Sequence, residues 1–123
     1  MRYRAATASH PDTPRFERAD PWLGVEASLA CGRAWAYPDD PARPEISPLF
    51  GEFAGINRLL VFTGTRDTLH PQARQIAARA EAAGVPCRLV TAPGCTHGYP
   101  LLPIREASRA MSDISRFIET AAR

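Results

Sequence analysis

The feature that most constrains the fold is a strand–helix–strand pattern over residues 58–99. It begins with four apolar residues, Leu59–Phe62, as expected of a parallel strand that is buried on both faces. A helix follows, because Pro71 suits a first helical turn and Gly84 suits the left-handed position just past a helix end. A second strand, predicted over Cys87–Thr91, should lie parallel to the first through a right-handed crossover. The pattern predicts an α/β fold with parallel strands.

Two residues with acid–base chemistry follow these strands, Asp67 after the first and His97 after the second. Because parallel strands end at the same edge of a sheet, we expect the two side chains to lie close together. An acid followed by a histidine is the order of the last two members of a Ser–Asp–His triad in α/β-hydrolases. The carboxylate would accept the Nδ1–H of the imidazole, and Nε2 would take the proton of a serine hydroxyl. Singly, the aspartate is typical of a helix cap and the histidine of a structural loop residue; the pair indicates catalysis.

Five short segments stand in order along the chain: Asp20–Leu23, Ser47–Phe50, Leu60–Asp67, Ala83–Pro86 and His97–Tyr99. Together they resemble the C-terminal part of α/β-hydrolases of the hormone-sensitive-lipase-like group, the fold-3 esterases. The Gly-x-x-Asp and His-Gly-aromatic elements are shared with other α/β-hydrolases, including oligopeptidases, whereas the Ser-Pro-Leu element favours the esterases. The resemblance implies that Asp67 is the triad acid and His97 the triad base, with no cofactor and a small acyl ester as substrate.

The nucleophile of such a triad is missing from the chain. No Gly-x-Ser-x-Gly elbow and no His-Gly-Gly-Gly oxyanion segment occurs, and none of the six serines has the flanking glycines that a nucleophile turn requires. Cys95 lies near His97 and could be a thiol nucleophile, but no elbow presents it. We therefore expect the chain to be truncated relative to the family, and inactive unless an N-terminal part completes it.

The remainder of the chain is organised in three parts. Residues 1–20 read as a loop or loosely packed arm, residues 21–57 as a helix and a proline-rich segment, and residues 58–123 as a β-α-β-α unit. The first long helix should begin with Asp20 as N-cap and end near Ala36, with Trp22 and Trp35 in the core. The last helix should begin at Pro103 and pack one apolar stripe on the sheet. That stripe comprises Ile104, Ala107, Met111, Ile114, Ile118 and Ala121, with Phe117 beside it.

Composition excludes several other functions. The 123 residues carry 15 arginines, no lysine and 13 acidic residues, and the arginines are scattered, so a nucleic-acid partner is not expected. Three cysteines without metal-type spacing indicate no metal site and free thiols in a reducing cytoplasm. No apolar run approaches the roughly 20 residues that span a bilayer, and no signal peptide is recognised.

Three functions remain open from the sequence. The chain could contribute to a serine esterase that acts on short acyl esters. It could be a non-catalytic remnant or interaction module that binds a complementary chain or another copy of itself. It could also belong to an α/β-hydrolase peptidase or formamidase. Two parallel strands leave an apolar strand edge at Leu59–Phe62, which would favour association with a further strand.

Overall fold

The computed structural model describes residues 10–121. Within this range the chain forms a two-stranded parallel sheet and four α-helices, with two single-turn 3₁₀ helices in the loops. The α-helices are α1 (Thr13–Glu17), α2 (Val25–Ala36), α3 (His70–Ala82) and α4 (Arg105–Ala121); the strands are β1 (Leu59–Gly64) and β2 (Cys87–Ala92); the 3₁₀ turns are Pro48–Phe50 and Tyr99–Leu101.

The predicted strand–helix–strand unit is confirmed. β1 and β2 run parallel with Leu59 opposite Cys87 and Gly64 opposite Ala92, so the two strands end level with each other. The crossover helix α3 packs on one face of the sheet and α4 on the other. On the α3 side, Ala80 is fully buried against Phe53 and Val85.

Helix α3 ends as predicted, with Gly84 in the left-handed position just past the helix. Gly84 adopts a left-handed conformation with φ of +72°, which a residue with a Cβ rarely adopts. The chain then reverses, and the backbone N–H of Val85 donates to the carbonyl of Ala80 at 2.9 Å. This αL cap delivers the chain directly into β2.

The two faces of β1 are less buried than an interior parallel strand requires. Leu59–Phe62 was predicted to be buried on both faces, but these residues are only half-buried. Both faces carry a helix, so the exposure comes from the outer edge. Within residues 10–121, β1 pairs with β2 alone.

The packing face of α4 differs from the predicted stripe. Ala107 and Ala110 are buried, and Ala110 lies in a cluster with Ala92, Cys95 and Tyr99. The predicted positions Met111 and Ile118 are exposed, as is Ile104, so that part of the prediction is wrong. Small side chains let the helix approach the sheet closely, and the larger apolar residues are left on the outer side of the helix.

The region before β1 corrects three further expectations. The predicted arm over residues 1–20 contains the helix α1, while residues 1–9 lie outside the described range. Helix α2 ends at Ala36 as predicted but begins at Val25 with Gly24 as N-cap, so Asp20 does not cap it. Trp22 and Trp35 are 58% and 77% exposed, so neither is a core residue. Residues 37–47 form neither helix nor strand, as the prolines predicted.

No helix in the described part of the chain has the length and apolarity to cross a membrane. All three cysteines, Cys31, Cys87 and Cys95, are free thiols.

Candidate functional site

The acid loop, residues 65–69, leaves the end of β1 and holds Asp67 in a fixed orientation. Asp67 is buried. Its Oδ1 accepts the backbone N–H of Leu69 at 2.8 Å, the turn that aspartate forms with the amide two residues on. Its carbonyl accepts the N–H of His70 at 2.9 Å, which connects the loop to the first turn of α3. The carboxylate therefore cannot rotate freely.

The histidine loop, residues 93–98, leaves the end of β2 beside the acid loop. Gly94 and Gly98 both have positive φ, so the loop turns sharply on either side of His97. Tyr99, directly after the loop, is buried and packs edge-on against Phe62 of β1 with ring centroids 6.3 Å apart. That aromatic contact anchors the C-terminal end of the histidine loop to the sheet.

The two loops are joined directly by hydrogen bonds that backbone N–H groups donate. The N–H of Arg66 donates to the carbonyl of Cys95 at 2.9 Å, and the N–H of Gly94 donates to the hydroxyl of Thr65 at 2.8 Å. Gly64 makes the close approach possible, because a Cβ at this position would overlap the carbonyl of Cys95. A side chain at residue 64 would therefore push the histidine loop away from the acid loop.

Asp67 and His97 are brought together as predicted. His97 Nδ1 lies 3.2 Å from Asp67 Oδ2 and 3.3 Å from Oδ1. Since a carboxylate can only accept, Nδ1 carries the proton and the neutral ring keeps Nε2 as its acceptor nitrogen. The side chain of Asp67 is 7% exposed and that of His97 44%, so the acid is shielded while the imidazole is open to solvent.

The pKa of His97 is raised above its ordinary value. The main cause is the hydrogen bond to Asp67, opposed by partial burial and assisted by the charges of Asp67 and Asp20. A histidine whose charged form is stabilised by a buried carboxylate is a base poised to accept a proton.

Neither Ser47 nor Cys95 is a suitable nucleophile for this pair. Ser47 is buried, and its hydroxyl donates to the carbonyl of Pro41 at 2.6 Å, so it has a structural role. Burial, together with the charge of Glu106, raises the pKa of the Cys95 thiol, which therefore stays protonated at neutral pH. The sequence-based suspicion of a thiol nucleophile thus loses its physical basis.

An apolar cleft of the described residues lies away from this site. A volume of about 470 Å³, bounded by Phe53, Ile56 and Ile76, lies at the N-terminal end of β1, the opposite end from Asp67. In α/β sheets the chemistry collects at the C-terminal ends of the strands, so we assign the candidate site by the side chains.

Two residues near the site were not assigned to it from the sequence. Asp20 was read as a helix cap, but its carboxylate accepts the N–H of Thr68 in the acid loop at 2.7 Å. His70 was not considered; it is buried at the start of α3, with Nδ1 3.2 Å from Thr63 Oγ1 and its ring beside Phe16. The Asp20–Thr68 and Phe16–His70 contacts join residues 48 and 54 positions apart in sequence, and no local pattern signals contacts of that kind.

Comparison with known proteins places the chain in a family. Residues 3–101 match the α/β-hydrolase fold family, and the chain belongs to it. It is 34% identical over 86 residues to an acetyl-hydrolase of Streptomyces hygroscopicus, covering 67% of this chain and 28% of that protein. It is 34% identical over 82 residues to a triacylglycerol lipase of Mycobacterium tuberculosis, covering 67% of this chain and 18% of that protein.

A solved structure narrows the family to a group. An esterase from the bacterial hormone-sensitive lipase family superposes with a TM-score of 0.84 at 27% identity, covering 95% of this chain and 40% of that one. The chain thus corresponds to part of a hormone-sensitive-lipase-like α/β-hydrolase, and it spans well under half the length of each of these three proteins.

Proposed function

We propose that this chain contributes the acid and the base, Asp67 and His97, to a serine carboxylesterase that acts on small acyl esters. The observation that carries the proposal is the contact of His97 Nδ1 with the buried carboxylate of Asp67 at the shared edge of two parallel strands. Relatives named acetyl-hydrolase, triacylglycerol lipase and esterase support an ester as substrate.

In this mechanism Asp67 holds the imidazole in one tautomer and stabilises the imidazolium that forms. His97 Nε2 removes the proton of a serine hydroxyl as the oxygen attacks the ester carbonyl, and later returns that proton to the leaving alkoxide. The serine and the oxyanion donors come from a segment outside these 123 residues, since the sequence contains neither motif. The contribution of this chain to the reaction is the fixed geometry of the two loops that hold Asp67 and His97. No cofactor enters the reaction. The free thiols support a cytoplasmic location.

The test is complementation. The chain is co-expressed with the N-terminal half of a related esterase, which carries the serine elbow, and the co-purified complex is assayed on a short activated ester. We expect no turnover by the chain alone and turnover by the complex. Asp67→Asn should lower kcat by an amount on the order of 10⁴-fold, the effect of the equivalent tautomer change in a serine protease, without preventing assembly.

A matched control removes a carboxylate far from the site. Asp39 is exposed and pairs with Arg43 on the surface, so Asp39→Asn should leave kcat unchanged. A complex that forms but hydrolyses no ester would contradict the esterase proposal. Turnover by the isolated chain that disappears in His97→Ala would contradict the assignment of the nucleophile to another segment.

A non-catalytic interaction module is the second candidate, favoured by the open edge of β1 and by the exposed apolar residues of α4. Complex formation without turnover would support it. An α/β-hydrolase peptidase or formamidase would use the same Asp67–His97 pair, and amide substrates in the same assay distinguish it from an esterase.

A further inference from the structure

The segment Ala19–Leu23 runs alongside the acid loop and is bonded to both neighbours of Asp67. On one side, Arg66 Nε donates to the carbonyl of Ala19 at 2.9 Å. On the other side, the N–H of Thr68 donates to Asp20 Oδ2 at 2.7 Å, and Thr68 Oγ1 donates to the carbonyl of Leu23 at 3.1 Å. The residues before and after the candidate triad acid are thus tied to one distant segment.

The carboxylate of Asp20 is the centre of this contact. Its Oδ1 accepts the backbone N–H groups of Trp22 and Leu23 at 2.9 and 3.1 Å, while Oδ2 accepts that of Thr68. Partial burial alone would raise the pKa of Asp20, but the N–H donors of Thr68, Trp22 and Leu23 together hold it below its ordinary value. Asp20 is therefore ionised at neutral pH.

We propose that Asp20 is a positioning residue for the Asp67–His97 pair: it fixes the backbone of Thr68, and so the acid loop, and places a second negative charge near the imidazole. This inference deepens the proposed function and rests on it for the catalytic meaning of Asp67. The loop is then held from three directions: by Asp20, by the Leu69 amide on Asp67 itself, and by the carbonyl of Cys95 on Arg66.

If Asp20 only formed the local turn with Trp22 and Leu23, substitution by asparagine would have no effect on the acid loop. Asparagine forms the same turn well, because one side-chain oxygen is enough for the N–H groups of Trp22 and Leu23. Its amide nitrogen, however, would then face the N–H of Thr68, donor against donor, and the negative charge would be gone. Asp20→Asn therefore keeps the turn and removes the contact with the acid loop.

The experiment measures the pKa of His97 by NMR titration of its imidazole in the full chain. We expect a lower His97 pKa in Asp20→Asn than in the unmodified chain, because a nearby negative charge is lost and the acid loop is less constrained. The control Asp39→Asn removes an equal charge at the surface and should leave the His97 pKa unchanged. A folded Asp20→Asn variant with an unaltered His97 pKa would overturn the proposal.

A second measurement needs no variant that alters the acid loop. In the unmodified chain, the amide proton of Thr68 should shift as Asp20 titrates, at a pH below the ordinary pKa of an aspartate. A Thr68 amide that is unresponsive through the acid range would refute the contact.

In the complemented enzyme, Asp20→Asn should lower kcat and leave KM unchanged. The NMR results do not depend on turnover, so failure of the esterase assay and failure of this proposal are separate results.

Discussion

The two histidines near the site, His70 and His97, have pKa shifts of opposite direction because only one of them has a carboxylate bonded to it. The hydrogen bond to Asp67 raises the pKa of His97. Burial and the charge of Arg74 lower the pKa of His70, and the more distant Asp67 opposes that shift only in part. The same carboxylate therefore dominates one ring and is a minor influence on the other.

Opposite shifts predict a stability maximum near pH 6.5, the ordinary pKa of histidine. Above it the folded chain holds a proton on His97 that the unfolded chain has lost, so stability falls as pH rises through the raised pKa. Below it the unfolded chain protonates His70 while the folded chain does not, so stability falls as pH decreases toward the lowered pKa. Urea unfolding at intervals between pH 3 and pH 9 measures this profile.

Single substitutions separate the two limbs of the profile. His97→Gln should flatten the fall in unfolding free energy above pH 6.5 and leave the acidic side intact. His70→Gln should flatten the fall between pH 6.5 and pH 5, whereas the loss of stability below about pH 4 should persist because Asp20 has a lowered pKa. Identical profiles for the unmodified chain and the His97 variant would contradict the Asp67–His97 pair in solution.

At the scale of secondary structure elements, the periodicity of α4 predicted the helix but not which of its faces is buried. The 3,4-spaced pattern predicted a helix, and the helix exists. Two overlapping stripes fit that spacing, one through Ala110 and one through Met111, and hydrophobicity favoured the larger side chain. The structure buries the smaller one, and Ala110 packs in one cluster with Tyr99 and Ala92.

This assignment predicts unequal effects of adjacent substitutions. Ala110→Leu adds three carbon atoms to a closely packed contact and should destabilise the chain by about 1–3 kcal/mol. Met111→Leu changes an exposed side chain of similar size and should alter stability by no more than about 0.5 kcal/mol. Urea unfolding of both variants at one pH makes the comparison. Equal destabilisation by the two would mean that α4 is rotated in solution.

Only those parts of the site that follow from local sequence patterns could be predicted. Asp67 and His97 were identified because each stands directly after a strand with a clear apolar pattern, and parallel strands must end at one edge. Asp20 and Trp22 were misread because an Asp-Pro pair resembles a helix start. Here the Asp20 carboxylate instead bonds a loop 48 positions away. Contacts of that kind depend on the finished tertiary structure and leave no periodic trace in the sequence.

At the scale of the whole molecule, the unpaired edge of β1 is the most consequential feature of the described residues. The backbone N–H groups of Leu59 and Thr65 donate to Pro86 and Ala92, on the side of β2. Alternation along a strand then directs the N–H groups of Leu60 and Phe62 to the opposite side. In the described range no strand lies there, and an apolar strand with a free edge tends to pair with another chain.

We therefore expect the purified chain to self-associate as its concentration rises. Proline substitutions at two adjacent positions of β1 should have different effects, one on association and the other on folding. Leu60→Pro removes an N–H that faces the open edge, so the chain should stay folded but become monomeric. Val61→Pro removes an N–H that faces β2, and the loss of that ladder hydrogen bond should unfold the sheet. Light scattering across a concentration series measures association, and far-UV circular dichroism reports folding. Leu60→Pro should also prevent binding of the complementing esterase half, because that half would use the same edge. An unmodified chain that stays monomeric at every concentration would exclude this edge as a self-association surface. A folded Leu60→Pro variant that associates as strongly as the unmodified chain would assign association to another surface. The exposed side of α4 around Met111 and Ile118 would then be the next surface to test.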